Sequence, residues 1–136
     1  MTDSTKASVP TSAPASVGAP ASGGVPASGL DELDPEDAKL VTLARATRAR
    51  TGAAQGAAVR DTDGRTYAAA SVALPSMNLS ALQVAVAMAV SSGAPGLEAA
   101  VVLADRPGDS SGAAAVHDLT PSVSVYFVDA GGRPHG

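Results

Sequence analysis

Apolar residues recur at two different spacings along this chain, and each change of spacing marks a new element. Asp34-Pro35-Glu36-Asp37 opens a predicted helix over 35–50. Asp34 offers an N-cap, Pro35 suits the first helical position, and Glu36 and Asp37 lie at the positive end of the dipole. Arg45, Arg48 and Arg50 sit at the opposite end, and Gly52 can close the helix. Ala57 to Arg60 and Arg65 to Val72 are strand-like and flank Asp61-Thr62-Asp63-Gly64, whose Asp-Gly pair is a turn signal. Pro75 ends that segment, and a second helix is expected over 77–92, capped by Ser76 or Asn78 and stopped by Gly93. Leu79, Leu82, Val86 and Val90 make one face of it, while Ala81, Val84, Ala85, Ala87, Met88 and Ala89 fill the others. A helix apolar nearly all round is expected to be buried. Leu97 to Leu103 follows as a third strand, and its continuous Ala99–Leu103 run suits burial on both faces. Residues 105–112 are expected as loop, 113–119 as one or two helical turns, and 122–128 as a fourth strand before Gly131-Gly132.

That order predicts an α/β fold with layers, a mixed sheet of about four strands and a buried central helix. Residues 1–29 stand apart from it. They are Ser, Ala, Pro, Gly and Thr with scattered Val. Such a segment buries too little apolar surface to offset an ordering entropy of roughly 1–2 kcal/mol per residue, so a disordered tail is expected there. A single domain over 30–136 is expected after it.

Composition removes whole classes of chemistry. The chain of 136 residues has no cysteine and two histidines, His117 and His135. Disulfides, thiolate nucleophiles and thiolate metal sites go together, as do sites with three or more Cys or His ligands. The net charge of −4 and the scarcity of aromatics argue against a nucleic-acid partner. Lys6 is followed by Ala, Ser, Pro, Thr and Gly rather than an apolar run, and Leu79 to Val90 is too short to cross a bilayer. The expectation is a cytoplasmic protein with no membrane contact.

Candidate sites are few, and each has a plain structural explanation beside it. Arg45, Arg48 and Arg50 could grip a phosphate, but they also compensate the helix dipole. Asp61 and Asp63 could hold a cation, but an ordinary turn accounts for them. Met77 and Met88 are expected to pack, Glu98 to be a solvated strand end, and His135 to lie in a frayed terminus. Tyr126 and Phe127 should face opposite sides of the fourth strand.

Gly56-Ala57-Ala58-Val59 followed by Asp63-Gly64-Arg65 is similar to the Val-Gly-Ala-Ala hairpin of the cytidine deaminase family. Ser80 to Gly93 is similar to that family's central helix, which begins Cys-Ala-Glu-Arg and then carries Ala, Ala and Gly at four-residue intervals. Ala81, Ala85, Ala89 and Gly93 match. The chain most resembles the short family members of high-GC bacteria, over roughly residues 35–104.

The resemblance implies a cytidine deaminase-like layered fold, and it also says where the chemistry should stand. Zinc deaminases bind the metal through one His or Cys at the start of the central helix and two Cys of a later Pro-Cys-x-x-Cys, with a non-ligand Glu moving the proton. The first ligand falls on Ser80, the Glu on Leu82 and the following Arg on Gln83. The second motif should fall near 105–118, which holds no Cys. Counted forward from the hairpin, the Asn-x-Glu that holds the ribose falls on Ser71 and Ala73; counting back from the central helix needs a gap of about two residues, and no glutamate lies between the hairpin and the helix. A triad of Ser80, His117 and Asp105 has no spacing to support it, and Ser80 serves better as a local cap. No catalytic, cofactor or metal residue is therefore expected. The expected role is a catalytically degenerate member acting by binding or by assembly, as a homo-oligomer or in a hetero-assembly, with room for a nucleoside-sized ligand. The alternative is a cytidine deaminase with atypical or partner-supplied groups, and only then would zinc be the cofactor.

Overall fold

The computed structural model describes residues 34–135. The expected tail over 1–29 lies outside the described residues.

Helix α1, Pro35–Thr51, starts where Asp34 accepts a hydrogen bond from the Glu36 N–H. It ends at Gly52, whose φ of 69° lets its N–H close onto the Arg48 carbonyl. Strands β1, Gly56–Asp61, and β2, Thr66–Ala70, form an antiparallel hairpin. The Asp61 carboxylate organises its turn, accepting the N–H groups of Asp63 and Arg65 and the Tyr67 hydroxyl at 2.8–2.9 Å. These partners are all protein donors, so the pairing of Asp61 with Asp63 is a turn device. Burial alone raises the Asp61 carboxyl, but the bonds from Arg65, Tyr67 and Asp63 outweigh it and hold the group below its ordinary value.

Strands β3, Val72–Leu74, and β4, Met77–Leu79, were not expected. They pair with each other as a separate two-stranded ribbon around Pro75-Ser76. The ribbon occupies the first turn predicted for the second helix, so α2 runs only Ala81–Ser91. Strand β5, Leu97–Leu103, has the predicted bounds. Helix α3, Ser110–Leu119, begins three residues before the expected start because Asp109 caps it. Strand β6, Val125–Val128, begins three residues late, because the Val123 N–H turns back to the Thr120 carbonyl.

The main sheet has the order β2-β1-β5-β6, with β5 and β6 parallel and the other neighbours antiparallel. Alternation along β5 sorts two cores. Ala99, Val101 and Leu103 face α1 with Leu40, Val41, Ala44, Ala58 and Val128. Ala100 and Val102 face α2 and α3 with Leu82, Ala85, Val86 and Val116. The result is three layers, α1 on one side of the sheet and α2 with α3 on the other. Gly56 lets α1 sit close, since a Cβ there would fall 2.9 Å from the Arg48 Cβ and collide with the Ala44 carbonyl.

Helix α2 buries a stripe of Ala81, Leu82, Ala85, Val86 and Ala89 rather than its whole circumference. Val90, expected on the packed face, is exposed, as is Met88. Val90 lies about 100° round from Ala89, off the edge of that stripe. Tyr126 and Phe127 divide as the strand period requires, Tyr126 outward and Phe127 against the core. Among the described residues no helix is long and apolar enough to cross a membrane.

Candidate functional site

The starts of α2 and α3 meet on one side of the sheet, and this junction holds Ser80, Leu82 and Gln83 of the residues singled out in the sequence. Ser80 is the N-cap of α2. Its Oγ accepts the Gln83 N–H at 3.1 Å, while Gln83 Oε1 accepts the Ser80 N–H at 2.9 Å. This reciprocal capping box satisfies two of the backbone donors that a helix start leaves over. Gln55, from the loop before β1, supplies Oε1 to the Ala81 N–H at 3.2 Å. The Gln55 N–H in turn donates to Ser71 Oγ at 3.1 Å. The first turn of α2 is therefore tied down by side-chain carbonyls and hydroxyls already in use.

Leu82 points the other way, into the core, with no exposed surface. It meets α3 at Gly112. A Cβ on Gly112 would fall 2.8 Å from the Leu82 Cβ and collide with the Asp109 carboxylate. Glycine in a helix interior costs about 1 kcal/mol relative to alanine, and here it allows the two helix starts to close on each other. Asp109 Oδ1 accepts the Gly112 N–H at 2.9 Å, and its Oδ2 is buried without a hydrogen-bond partner among the described residues.

The remaining sequence candidates are spread over the molecule. Asp105 lies at the exit of β5 and pairs with Arg48 of α1 at 3.1 Å. His117 is in the last turn of α3, where its Nε2 bonds the Val123 carbonyl at 2.9 Å. Ser80, His117 and Asp105 thus each have a separate partner, and no hydrogen bond links them among the described residues. Ala73 is exposed on β3 opposite Asn78. Glu98 is exposed and bonds Arg60 Nε at 2.9 Å, while Asp37 takes the Nη2 of the same guanidinium at 3.0 Å. Burial lowers the Arg60 pKa, but Glu98 and Asp37 more than reverse it.

His135 does not fray. Its Nε2 bonds the Ala104 carbonyl at 2.9 Å and its backbone N–H donates to Phe127. The terminal segment is thereby held along β6, and Val128 makes a bridge to Pro134. Sequence reasoning also missed Gln55, Asp109 and Gly112. Asp109 carried a usable signal, since Asp three residues before Gly112 is the spacing of a helix cap. Gln55 carried none, because it acts through a contact 26 positions away.

Among the described residues no group of three or more His, Cys, Asp or Glu is arranged to hold a metal ion. A family model described as cytidine deaminase-like matches residues 33–132. A crystal structure of cytidine deaminase from Burkholderia pseudomallei is similar in fold, with a TM-score of 0.64 at 18% identity over 71% of this chain and 87% of that one. No curated protein sequence matches significantly.

Proposed function

The chain belongs to the cytidine deaminase-like family, and from that premise we propose that it is a catalytically degenerate member acting by binding or assembly. One observation carries the reading. Leu82 is fully buried, and it is the residue to which the family resemblance assigns the proton-moving carboxylate of a zinc deaminase.

Zinc does not fit the groups around it. Hydrolytic deamination uses the metal to make hydroxide at neutral pH, and this requires anionic or imidazole ligands and a proton carrier. At the junction, Ser80 Oγ is a neutral hydroxyl already accepting a helix N–H. Asp109 uses one oxygen as the cap of α3. The chain has no thiol, and its two imidazoles are bonded to the carbonyls of Val123 and Ala104. The space between the helix starts is closed by Leu82 against Gly112. No catalytic step is therefore drawn through the metal.

Large apolar side chains left exposed support the assembly half of the proposal. Leu74 and Met77 on the ribbon are 54% and 46% exposed, and Val90 on α2 is 53% exposed. Apolar surface of this kind is the usual material of an interface between chains.

The test uses the full chain purified with zinc supplied. The expected result is zinc far below about one ion per chain, no conversion of cytidine to uridine, and an assembly larger than a monomer by light scattering. Stoichiometric zinc with turnover that a chelator abolishes would instead support a deaminase using atypical groups. A strict monomer would remove the assembly half.

A further inference from the structure

On the opposite side of the sheet, the last turns of α1 pass over the end of β5 and leave an open cleft of about 320 Å3. Arg45 and Arg48 stand in its wall, Leu103 lies behind it at the end of β5, and Ala49, Gly52, Ala53 and Ala130 complete the lining. The dipole of α1 accounts for cations near its end, but not for how these two are held. The Arg48 side chain is 20% exposed and fixed at two points, with Nε donating to the Ala53 carbonyl at 3.3 Å and Nη2 to Asp105 at 3.1 Å. The Nε of Arg45 is buried and finds no acceptor among the described residues. Such a donor on a charged group is unfavourable unless something supplies an oxygen to it. Among the described residues Asp105 is the one carboxylate bonded to the pair, and its side chain is 80% exposed. Asp129, next to Ala130, directs its Oδ1 to the N–H groups of Gly131 and Arg133. The cleft therefore carries two guanidinium groups in its wall, and the Nε of Arg45 lies behind that wall without an acceptor among the described residues.

We propose that this cleft binds a small oxyanion, a phosphate monoester or a carboxylate with a short apolar body. Guanidinium forks match both groups in geometry, and Ala49, Ala53 and Ala130 receive the apolar part. The volume lies at the lower end of small-ligand sites, which favours a ligand of a few carbons over a whole nucleotide. The site is on the α1 face and does not depend on the proposed loss of deamination at the α2–α3 junction.

The test is a titration of the full chain, labelled with 15N, following the arginine Nε–H resonances at constant ionic strength. The probes are inorganic phosphate, n-butyl phosphate and butyrate. The Arg45 and Arg48 signals should move and saturate, with n-butyl phosphate binding more tightly than inorganic phosphate. The better of n-butyl phosphate and butyrate identifies the anion class. Arg45→Gln should weaken binding about tenfold or more. Arg45→Lys, which keeps the charge and is the milder change, should weaken it in the same direction. Arg50→Gln, outside the cleft, should leave it unchanged. Shifts that stay linear, that appear equally at Arg50, or that saturate unaltered in Arg45→Gln would overturn the proposal.

Discussion

Putting a carboxylate back at position 82 tests whether the α2–α3 junction is packed or is a pocket. In Leu82→Glu, a fully buried side chain loses its apolar contacts, worth about 1.5–3 kcal/mol. The new carboxyl enters without a donor, since the nearby N–H groups of Ala81, Gln83 and Gly112 are already bonded. Desolvating the neutral acid costs a further ~1–3 kcal/mol. The total, about 2.5–6 kcal/mol, is a large part of the roughly 5–15 kcal/mol that stabilises a domain. Urea unfolding of Leu82→Glu beside Leu82→Met reads it, because the volume-conserving change should cost less than about 1.5 kcal/mol. A pH dependence follows. Burial raises the carboxyl's folded pKa above its unfolded value of about 4.3, so the folded variant holds the proton more tightly. Its stability is greatest below that unfolded value and falls as pH rises towards the folded pKa, so the variant should look worse at pH 7 than at pH 4. A loss under about 1 kcal/mol with no such slope would refute the reasoning. It would mean that the side chain reaches water or free donors, and that the junction is a polar pocket.

Two further changes probe the same physical account elsewhere. Gly112→Ala should lower Tm despite alanine's better helix propensity, by about 1–2 kcal/mol net, because its Cβ meets Leu82 and Asp109; a rise in Tm would show that the helices can separate at no cost. Tyr67→Phe removes the hydroxyl that bonds the buried Asp61 carboxylate and should cost about 1–3 kcal/mol at pH 7. The folded pKa of Asp61 is lowered, so its contribution is present above the ordinary carboxylate range and disappears as pH falls through the folded value. The gap between wild type and Tyr67→Phe should therefore narrow in acid, and a gap constant with pH would count against the linkage.

The elements set by local chemistry were readable. Strand β5 is a continuous apolar run and has the predicted bounds. Helix α1 begins at the Asp34-Pro35 signal and closes at Gly52. The β3–β4 ribbon was not readable, because Met77-Asn78-Leu79 carries the apolar spacing of the helix that follows, and only pairing with Val72–Leu74 makes it a strand. Gly112 hid the first turn of α3, since the reason for a glycine there is the approach of Leu82 from another helix. His135 looked like loose chain because its partner, the Ala104 carbonyl, is 31 positions away. At the junction, the cap was expected at Ser76 or Asn78, but Asn78 lies in β4 and Ser80, expected only as a local cap, is the residue that starts α2. The Gln55 bond to Ala81 was not legible, for the same reason of sequence distance.

Functional sites usually break local rules and are compensated elsewhere, through unpaired donors, buried charge or strain. The start of α2 breaks none. Ser80 and Gln83 complete a capping box, Gln55 satisfies the Ala81 N–H, and the next inward position is an apolar residue with no exposed surface. A catalytic carboxylate and metal ligands at this place would give up part of that local stability for chemistry, since each would bury charge beside a helix start. On the proposed reading, α2 keeps the helix position of the family and regains local consistency there. Among the described residues the departures from local consistency are Asp109 Oδ2, across the junction at the start of α3, and Arg45 Nε and Arg60 Nη1 away from it. Of these, Arg60 is already held by two carboxylates and Asp109 is engaged as a cap. Arg45 lines an open cleft, which sets the α1 face apart as the place where an unsatisfied charged group borders open space.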